Sequence, residues 1–301
     1  NGLGYRDMTW PQHENPGAFG GLEQRCDFSD ARFAVLPVPF DGTSTWLKGA
    51  DRGPEAVLAA SANMELFDIE TRSEPWRLGL ITMAPVEECA TPEIMVEETH
   101  RAARELAAKG KIVVGLGGEH SVSIGLIRAQ AERHPGLSVL QLDAHADTRD
   151  SYEGSAFNHA CVMARVAEYC EIVQVGIRSL DVTEMERLRP ERVFFAHDLD
   201  EAGGWIPAVI EKLGDPVYVT IDLDVLDPSE MPSTGTPEPG GLRYRQITRL
   251  LREVCKSRRV VGFDVVELLP NENNKAPDFL AARLVYQMMA YIGSGQEGES
   301  K

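Results

Sequence analysis

Short runs of β-branched and other apolar residues recur along the chain, separated by stretches with helical spacing. The runs are Phe33–Val38, Leu78–Ile81, Lys111–Gly115, Leu137–Leu142, Glu171–Gly176, Arg192–Phe195, Val217–Ile221 and Val260–Val266. Several are apolar on consecutive rather than alternate residues, as in Ile112-Val113-Val114 and Val260-Val261. That is the pattern of parallel strands covered on both faces. The intervening segments supply the cover. Thr91-Pro92 offers an N-cap and a first-turn proline, Met95, Ala102 and Leu106 share a face, and Gly110 closes the helix. Ile247, Leu250, Leu251 and Val254 repeat that spacing. The alternation predicts a single three-layer α/β/α domain with an eight-stranded, mostly parallel sheet. Its expected bounds are 31–293, between an irregular Gly/Pro-rich N-terminal arm at 1–30 and a polar C-terminal tail at 294–301. The apolar stretch Ala276–Gly293 is interrupted by Asp278 and Arg283, so it reads as a buried helix and not as a membrane span.

Composition narrows the partners. The 301 residues are 43% hydrophobic and 26% charged, which suits a globular chain with a full core and excludes a disordered one. Thirty Lys plus Arg against 47 Asp plus Glu gives 30 − 47 = −17. This sign opposes binding to nucleic acid or an anionic membrane and suits a small cationic substrate. The five cysteines, Cys26, Cys89, Cys161, Cys170 and Cys255, are odd in number and form no CxxC pair. Neither a disulfide framework nor a zinc knuckle is indicated, and a reducing, cytoplasmic setting is expected. The sequence begins at Asn1 without Met or a charged-then-apolar leader, which leaves room for a trimmed upstream targeting segment.

In parallel α/β sheets ligands bind beyond the carboxyl ends of the strands. Three strand ends there carry unusual chemistry: Gly117-Gly118-Glu119-His120-Ser121, Asp143-Ala144-His145-Ala146-Asp147, and Asp222-Leu223-Asp224-Val225-Leu226-Asp227-Pro228. Alternate residues of a strand point to one face, so Asp143 is expected to project with His145 and Asp222 with Asp224. Asp147 turns back to join them, and His120 arrives from what is expected to be a neighbouring strand. Two carboxylates about 5 Å apart repel by roughly 3 kcal/mol at an effective dielectric near 20. Summed over all pairs of four carboxylates, this exceeds the ~5–15 kcal/mol of typical net stability. The cluster must take up protons or bind cations, and two divalent ions balance four carboxylates. Oxygen donors with two imidazoles and no thiolate point toward Mn²⁺. One Asp-x-His alone is commonplace; three such strings at strand ends are not. A dinucleotide reading of Gly115-Leu116-Gly117-Gly118 fails because His120 occupies the third glycine position of GxGxxG.

These three strings, in this order and separation, resemble the signatures of the ureohydrolases, the family of arginase, agmatinase and guanidinobutyrase, and the likeness spans nearly the whole chain. The resemblance implies an arginase-like fold and two Mn²⁺ ions per subunit. Asp143 and Asp222 would bridge them, His120 and Asp147 would complete one, His145 and Asp224 the other, and Asp227 would stand behind. It also matches His159 in Asn158-His159-Ala160, Glu267 at the end of the last strand, and Thr236 in Gly235-Thr236-Pro237 on the substrate side. Taken alone, His159 and Glu267 would read as a core histidine and a solvated acid.

The activity implied is hydrolysis of a guanidino compound to urea and an amine. Asp147 would orient the attacking water, and Glu267 would accept two N–H bonds from the planar guanidinium. His159, with an ordinary pKa near 6.5, would deliver the proton the leaving amine needs. The loop Thr148–Asn158 lacks the pattern with which arginases hold an α-amino acid head. Phe40–Thr45 and Arg52–Ala56 look more like agmatinases. Agmatine, cleaved to putrescine in polyamine biosynthesis, is therefore the expected substrate, with guanidinobutyrate and arginine as rivals. A catalytically silent metal-binding scaffold is the rival of another class, and the presence of both His159 and Glu267 argues against it. A one-zinc deacetylase relative would not need six ligands. Relatives commonly assemble as trimers or hexamers, so a homo-oligomer is expected. Asp181 and Glu184, just past the fifth strand, are placed to meet a cationic tail, but read more readily as solvated acids at a helix start.

Overall fold

The computed structural model describes residues 10–12, 17–22, 26–87 and 89–296; the rest of the expected arm and tail, with His13, lies outside the described residues. Among those described, eight strands alternate with seven α-helices, except that 3-10 turns alone separate the fifth strand from the sixth. The strands are β1 (Phe33–Val38), β2 (Leu80–Thr82), β3 (Ile112–Gly117), β4 (Ser138–Leu142), β5 (Glu171–Ile177), β6 (Val193–Phe195), β7 (Val217–Asp222) and β8 (Val260–Val266). The helices are α1 (Gly53–Ser61), α2 (Pro92–Ala108), α3 (Val122–Arg133), α4 (Val162–Val166), α5 (Ile206–Lys212), α6 (Tyr244–Ser257) and α7 (Ala276–Gln296).

All strands pair in parallel, in the order β2-β1-β3-β8-β7-β4-β5-β6. Side chains alternate between two cores. Phe33 and Val35 of β1 face the layer of α1, α5, α6 and α7, while Ala34, Leu36 and Val38 face α2, α3 and α4. Consecutive apolar residues in the strands are thus explained by helices on both faces. The helix signals act as their residue types require. The Thr91 hydroxyl accepts from the Ile94 N–H at 3.3 Å, and Ile247, Leu250, Leu251 and Val254 are buried on α6. The expected second strand began at Leu78; instead Pro75–Leu78 form a 3-10 turn and Gly79, at φ +87°, reverses into β2.

Several residues tie the N-terminal arm onto this body, two of them through aromatic side chains. The Trp10 indole donates to the Ala84 carbonyl at 2.8 Å, and Phe19, 1% exposed, packs on Tyr286. At the other end α7 continues through Gln296, into the segment read as tail. No helix among the described residues is long and apolar enough to cross a membrane.

The central strands β3, β8, β7 and β4 lie side by side, so their carboxyl ends open onto one crevice. The turn leaving β3 is pinned by β1: the Gly118 N–H donates to the Val38 carbonyl at 2.9 Å and the Glu119 N–H to the Phe40 carbonyl at 2.8 Å. A Cβ on Gly118 would sit on the Phe40 carbonyl oxygen, well inside van der Waals contact. Gly118→Ala is therefore expected to lower stability by about 3 kcal/mol or more, because backbone on both sides has nowhere to move. Urea unfolding checks this, and a wild-type midpoint and slope would contradict it.

Candidate metal centre and active site

His120 leaves the β3 turn fully buried, with one ring nitrogen tied and the other facing acids. Its Nε2 lies 2.9 Å from the Thr220 hydroxyl, and that hydroxyl donates to Asp264 Oδ1 at 2.7 Å. A single hydroxyl hydrogen spent on Asp264 leaves Thr220 to accept from Nε2–H. The Tyr218 hydroxyl fixes the other oxygen of Asp264, at 2.7 Å. Nδ1 is thereby left with a lone pair. It lies 3.0 Å from Asp147 Oδ2, 3.1 Å from Asp143 Oδ2 and 3.5 Å from Asp222 Oδ2, yet it is buried without a hydrogen bond. A lone pair facing three carboxylate oxygens requires a shared cation or a proton between them. The donor set therefore fits a metal ion.

A second group lies alongside. His145 Nδ1 is 2.8 Å from Asp224 Oδ2 and 3.7 Å from Asp143 Oδ1. His120, Asp143 and Asp147 form one triplet of candidate ligands, and Asp143, His145 and Asp224 the other, so Asp143 belongs to both. Asp222 stands beside His120 but completes neither triplet.

Strand alternation is not what gathers these residues. β4 stops at Leu142 and β7 at Asp222, so Asp143–Asp147 and Leu223–Asp224 lie in turns. Asp143 Oδ1 accepts the His145 N–H at 2.6 Å, and Asp222 Oδ1 accepts the Asp224 N–H at 2.8 Å, short-range turns of the kind aspartate favours. Asp224 Oδ1 reaches back to the Ala144 N–H at 3.0 Å and so joins the two turns. Nor is His120 on a neighbouring strand of β4: β8 and β7 lie between. Asp147 and Glu267 both adopt left-handed backbone, at φ +53° and +67°. Non-glycine residues hold that conformation where surrounding contacts impose it, often at functional sites.

The electrostatics report crowding. Burial first, then Asp224 and Asp143, pushes the Asp222 carboxyl well above the usual range. Burial, aided by Asp143, lifts Asp147 to about 7. Burial also works to raise Asp143, but His120 and His145 hold it below its ordinary value. Burial opposes charge on His145, yet Asp224 and Asp143 push it up to about 12. Without cations, then, the cluster holds protons that an arriving metal must displace.

A cavity of about 290 Å³ opens above the cluster, lined also by Glu267, His159 and Thr236. Glu267 is half-buried, and its Oε1 accepts the His120 N–H at 2.8 Å. Burial and the neighbouring Glu119 carboxylate raise it well above the ordinary glutamate value. His159 begins a 3-10 turn capped by Asn158. Its pKa is not near 6.5: burial, with positive charge at His145 and His120 adding to it, lowers it to about 4 and leaves the ring neutral. Thr236 is exposed at the rim, on a loop held to the Glu267 side by the Leu269 N–H donating to the Ser233 carbonyl at 2.8 Å. Asp227 stays outside the cluster, where it accepts from the N–H groups of Ser229, Gly240 and Gly241.

Other residues emerge only in three dimensions. Arg178 donates to the carbonyls of Asp224 and Glu238, at 2.6 and 2.7 Å, and clamps the Asp224 turn. Glu184 is buried, not solvated, and accepts from the N–H groups of Thr148 and Asp181, both at 2.9 Å. Thr43 and Glu119 meet His159 from behind. Glu119 carried a signal in its place within the glycine-turn string, Thr43 lay within the agmatinase-like Phe40–Thr45 stretch, and Arg178 carried none.

A parallel α/β/α sheet with two acid–imidazole triplets over its central strands defines a candidate metal centre at the strand ends. Known proteins narrow the class. A profile described as the arginase family matches residues 31–291. An N(1)-aminopropylagmatine ureohydrolase of Thermus thermophilus is 42% identical over 278 residues, covering 90% of this chain and 94% of the relative. An agmatinase of Pyrococcus horikoshii is 31% identical over 270 residues, covering 87% and 93%. The crystal structure of agmatine ureohydrolase from Thermoplasma volcanium superposes with a TM-score of 0.82 at 30% identity, covering 91% and 94%. The chain belongs to the arginase family and is a ureohydrolase.

The Thr220 relay makes a prediction. Thr220→Val removes the acceptor that holds Nε2–H, so divalent-metal affinity should fall about 10- to 100-fold while the fold persists. Calorimetric titration with Mn²⁺, alongside circular dichroism, checks it; unchanged affinity would mean that this contact does not orient the ligand.

Proposed function

We propose that the chain hydrolyses a guanidino compound with a cationic tail, agmatine or its N(1)-aminopropyl derivative, to urea and an amine, with two Mn²⁺ ions at the strand-end cluster. The observation that carries this is the pair of triplets sharing Asp143 at the floor of a cavity that Glu267 and His159 also line. His120, Asp143 and Asp147 would hold one ion and Asp143, His145 and Asp224 the other, with Asp222 closing the set. When bound, such a pair offsets the carboxylate charge and lowers the pKa of water from about 15.7 toward about 7.

The chain's own residues do the rest. The Glu267 carboxylate accepts two N–H bonds from the planar guanidinium and fixes where its carbon sits, with Thr236 at the rim of the same pocket. The Asp147 carboxylate accepts a hydrogen bond from the attacking water and aims it. The reaction balances as guanidinium plus water giving urea plus an alkylammonium, so both protons of the water must reach the leaving nitrogen, and one of them has to be carried there. His159, neutral at pH 7, accepts and releases that proton at the cavity wall without holding it. Its lowered pKa suits a carrier better than a standing acid.

The cationic tail is supported by the net charge of −17 and by the Trp46 ring, 66% exposed at the cavity rim, whose face attracts cations. The aminopropyl derivative is supported by the higher identity to the Thermus relative than to the Pyrococcus agmatinase. A cytoplasmic homo-oligomer, trimeric or hexameric, belongs to the same proposal.

Urea release from agmatine, N(1)-aminopropylagmatine, arginine and guanidinobutyrate by Mn²⁺-loaded protein tests the substrate. The first two should dominate; preference for arginine or guanidinobutyrate would overturn this reading, and inactivity on all four would restore the scaffold. Glu267→Ala should cut urea release about 100-fold or more while bound metal is retained. Urea release at the wild-type rate would remove Glu267 from its role.

A further inference from the structure

Behind His159 lies a hydrogen-bonded chain that the proposed chemistry has not used. The Thr43 hydroxyl meets three groups at once. It accepts the His159 backbone N–H at 3.0 Å, it lies 3.1 Å from His159 Nδ1, and it makes a short hydrogen bond to Glu119 Oε2. Glu119 is fully buried, and its other oxygen accepts from the Ser121 hydroxyl. Each oxygen of this carboxylate is thus served by one hydroxyl, the arrangement of an acceptor. A hydroxyl has one hydrogen and two lone pairs. The Thr43 hydrogen goes to Glu119, one lone pair takes the backbone N–H, and the remaining lone pair faces Nδ1. Nδ1 must then donate. Glu119 Oε2, 3.6 Å from the same nitrogen, favours a proton there as well.

We infer that Thr43 and Glu119 are positioning residues that hold His159 as its Nδ1–H tautomer, turning the lone pair of Nε2 to the reaction. No hydrogen bond engages Nε2 among the described residues, and His159 lines the cavity. A neutral imidazole in this state takes a proton at Nε2 directly, and His159 is returned to the same tautomer once that proton passes to the leaving nitrogen. The opposite tautomer presents an N–H where a lone pair is needed, and the first transfer fails. The inference rests on the reading of His159 as the proton carrier.

Two measurements separate the inference from that reading. Nitrogen-15 NMR of the full chain in mildly alkaline solution, as isolated and loaded with diamagnetic Mg²⁺, reports the tautomer of His159 without reference to activity. Wild type should show Nδ1–H. Thr43→Val should shift His159 toward Nε2–H, and Thr43→Ser, which keeps the hydroxyl, should restore the wild-type spectrum. Urea release on Mn²⁺-loaded protein should show kcat lowered at least about tenfold in Thr43→Val with KM unchanged, and rescued in Thr43→Ser. Nε2–H in the wild type, the pattern a protonated Glu119 would impose, overturns the inference. Nδ1–H retained in Thr43→Val likewise overturns the positioning role of Thr43, whereas a shift to Nε2–H in that variant with undiminished kcat upholds the tautomer and overturns the role of His159 instead. The wild-type and Thr43→Ser spectra decide the tautomer even where Thr43→Val does not fold.

Discussion

Like charge held at close quarters governs this molecule. Four aspartates gather over the ends of the central strands with two imidazoles among them, and among the described residues their ion-pair partners are histidines, not lysine or arginine. Such a group is tolerated in a buried setting when positive charge enters or when its members stop being charged. The fold is built to hold the first condition open. Asp222 and Asp224 each have one oxygen anchored to a backbone N–H and the other beside a histidine nitrogen. Gln141, itself gripping Asp143 at 2.7 Å, is steadied through Gln174. The histidine nitrogen facing in is chosen by Thr220 and Asp264 behind it. Backbone and amide donors thus fix the outer side of the cluster and leave its inner side for cations.

Much of this was legible in the sequence because it is local. Apolar runs without alternation report burial on both faces, which is why eight parallel strands and two helical layers follow from composition along the chain. The three acidic strings fall at strand ends, and a sheet of this kind exposes strand ends to one crevice. Glu267 also stands just past a strand, β8, but only the family resemblance singled it out; read alone it was a solvated acid.

What the sequence withheld was relation between distant segments. It carried no sign that β8 and β7 separate β3 from β4, so His120 reaches its partners across two strands. It suggested strand alternation for Asp143 with His145 and Asp222 with Asp224, whereas side-chain-to-backbone turns past the strand ends do that work. The Arg178 clamp unites carbonyls around 224 and 238, segments whose proximity depends on the folded loop. Thr43 and His159 are 116 positions apart. The lowered pKa of His159 could not be read either, since it arises from burial and from charge on residues that the fold brings near.

The count of divalent ions, taken together with activity, tests the account most directly. Protein loaded with Mn²⁺ and dialysed exhaustively should carry two ions per chain by elemental analysis. Chelation should remove the ions and urea release together, and Mn²⁺ should restore both. A chain that holds no ion and still releases urea at its full rate would contradict the account at its root.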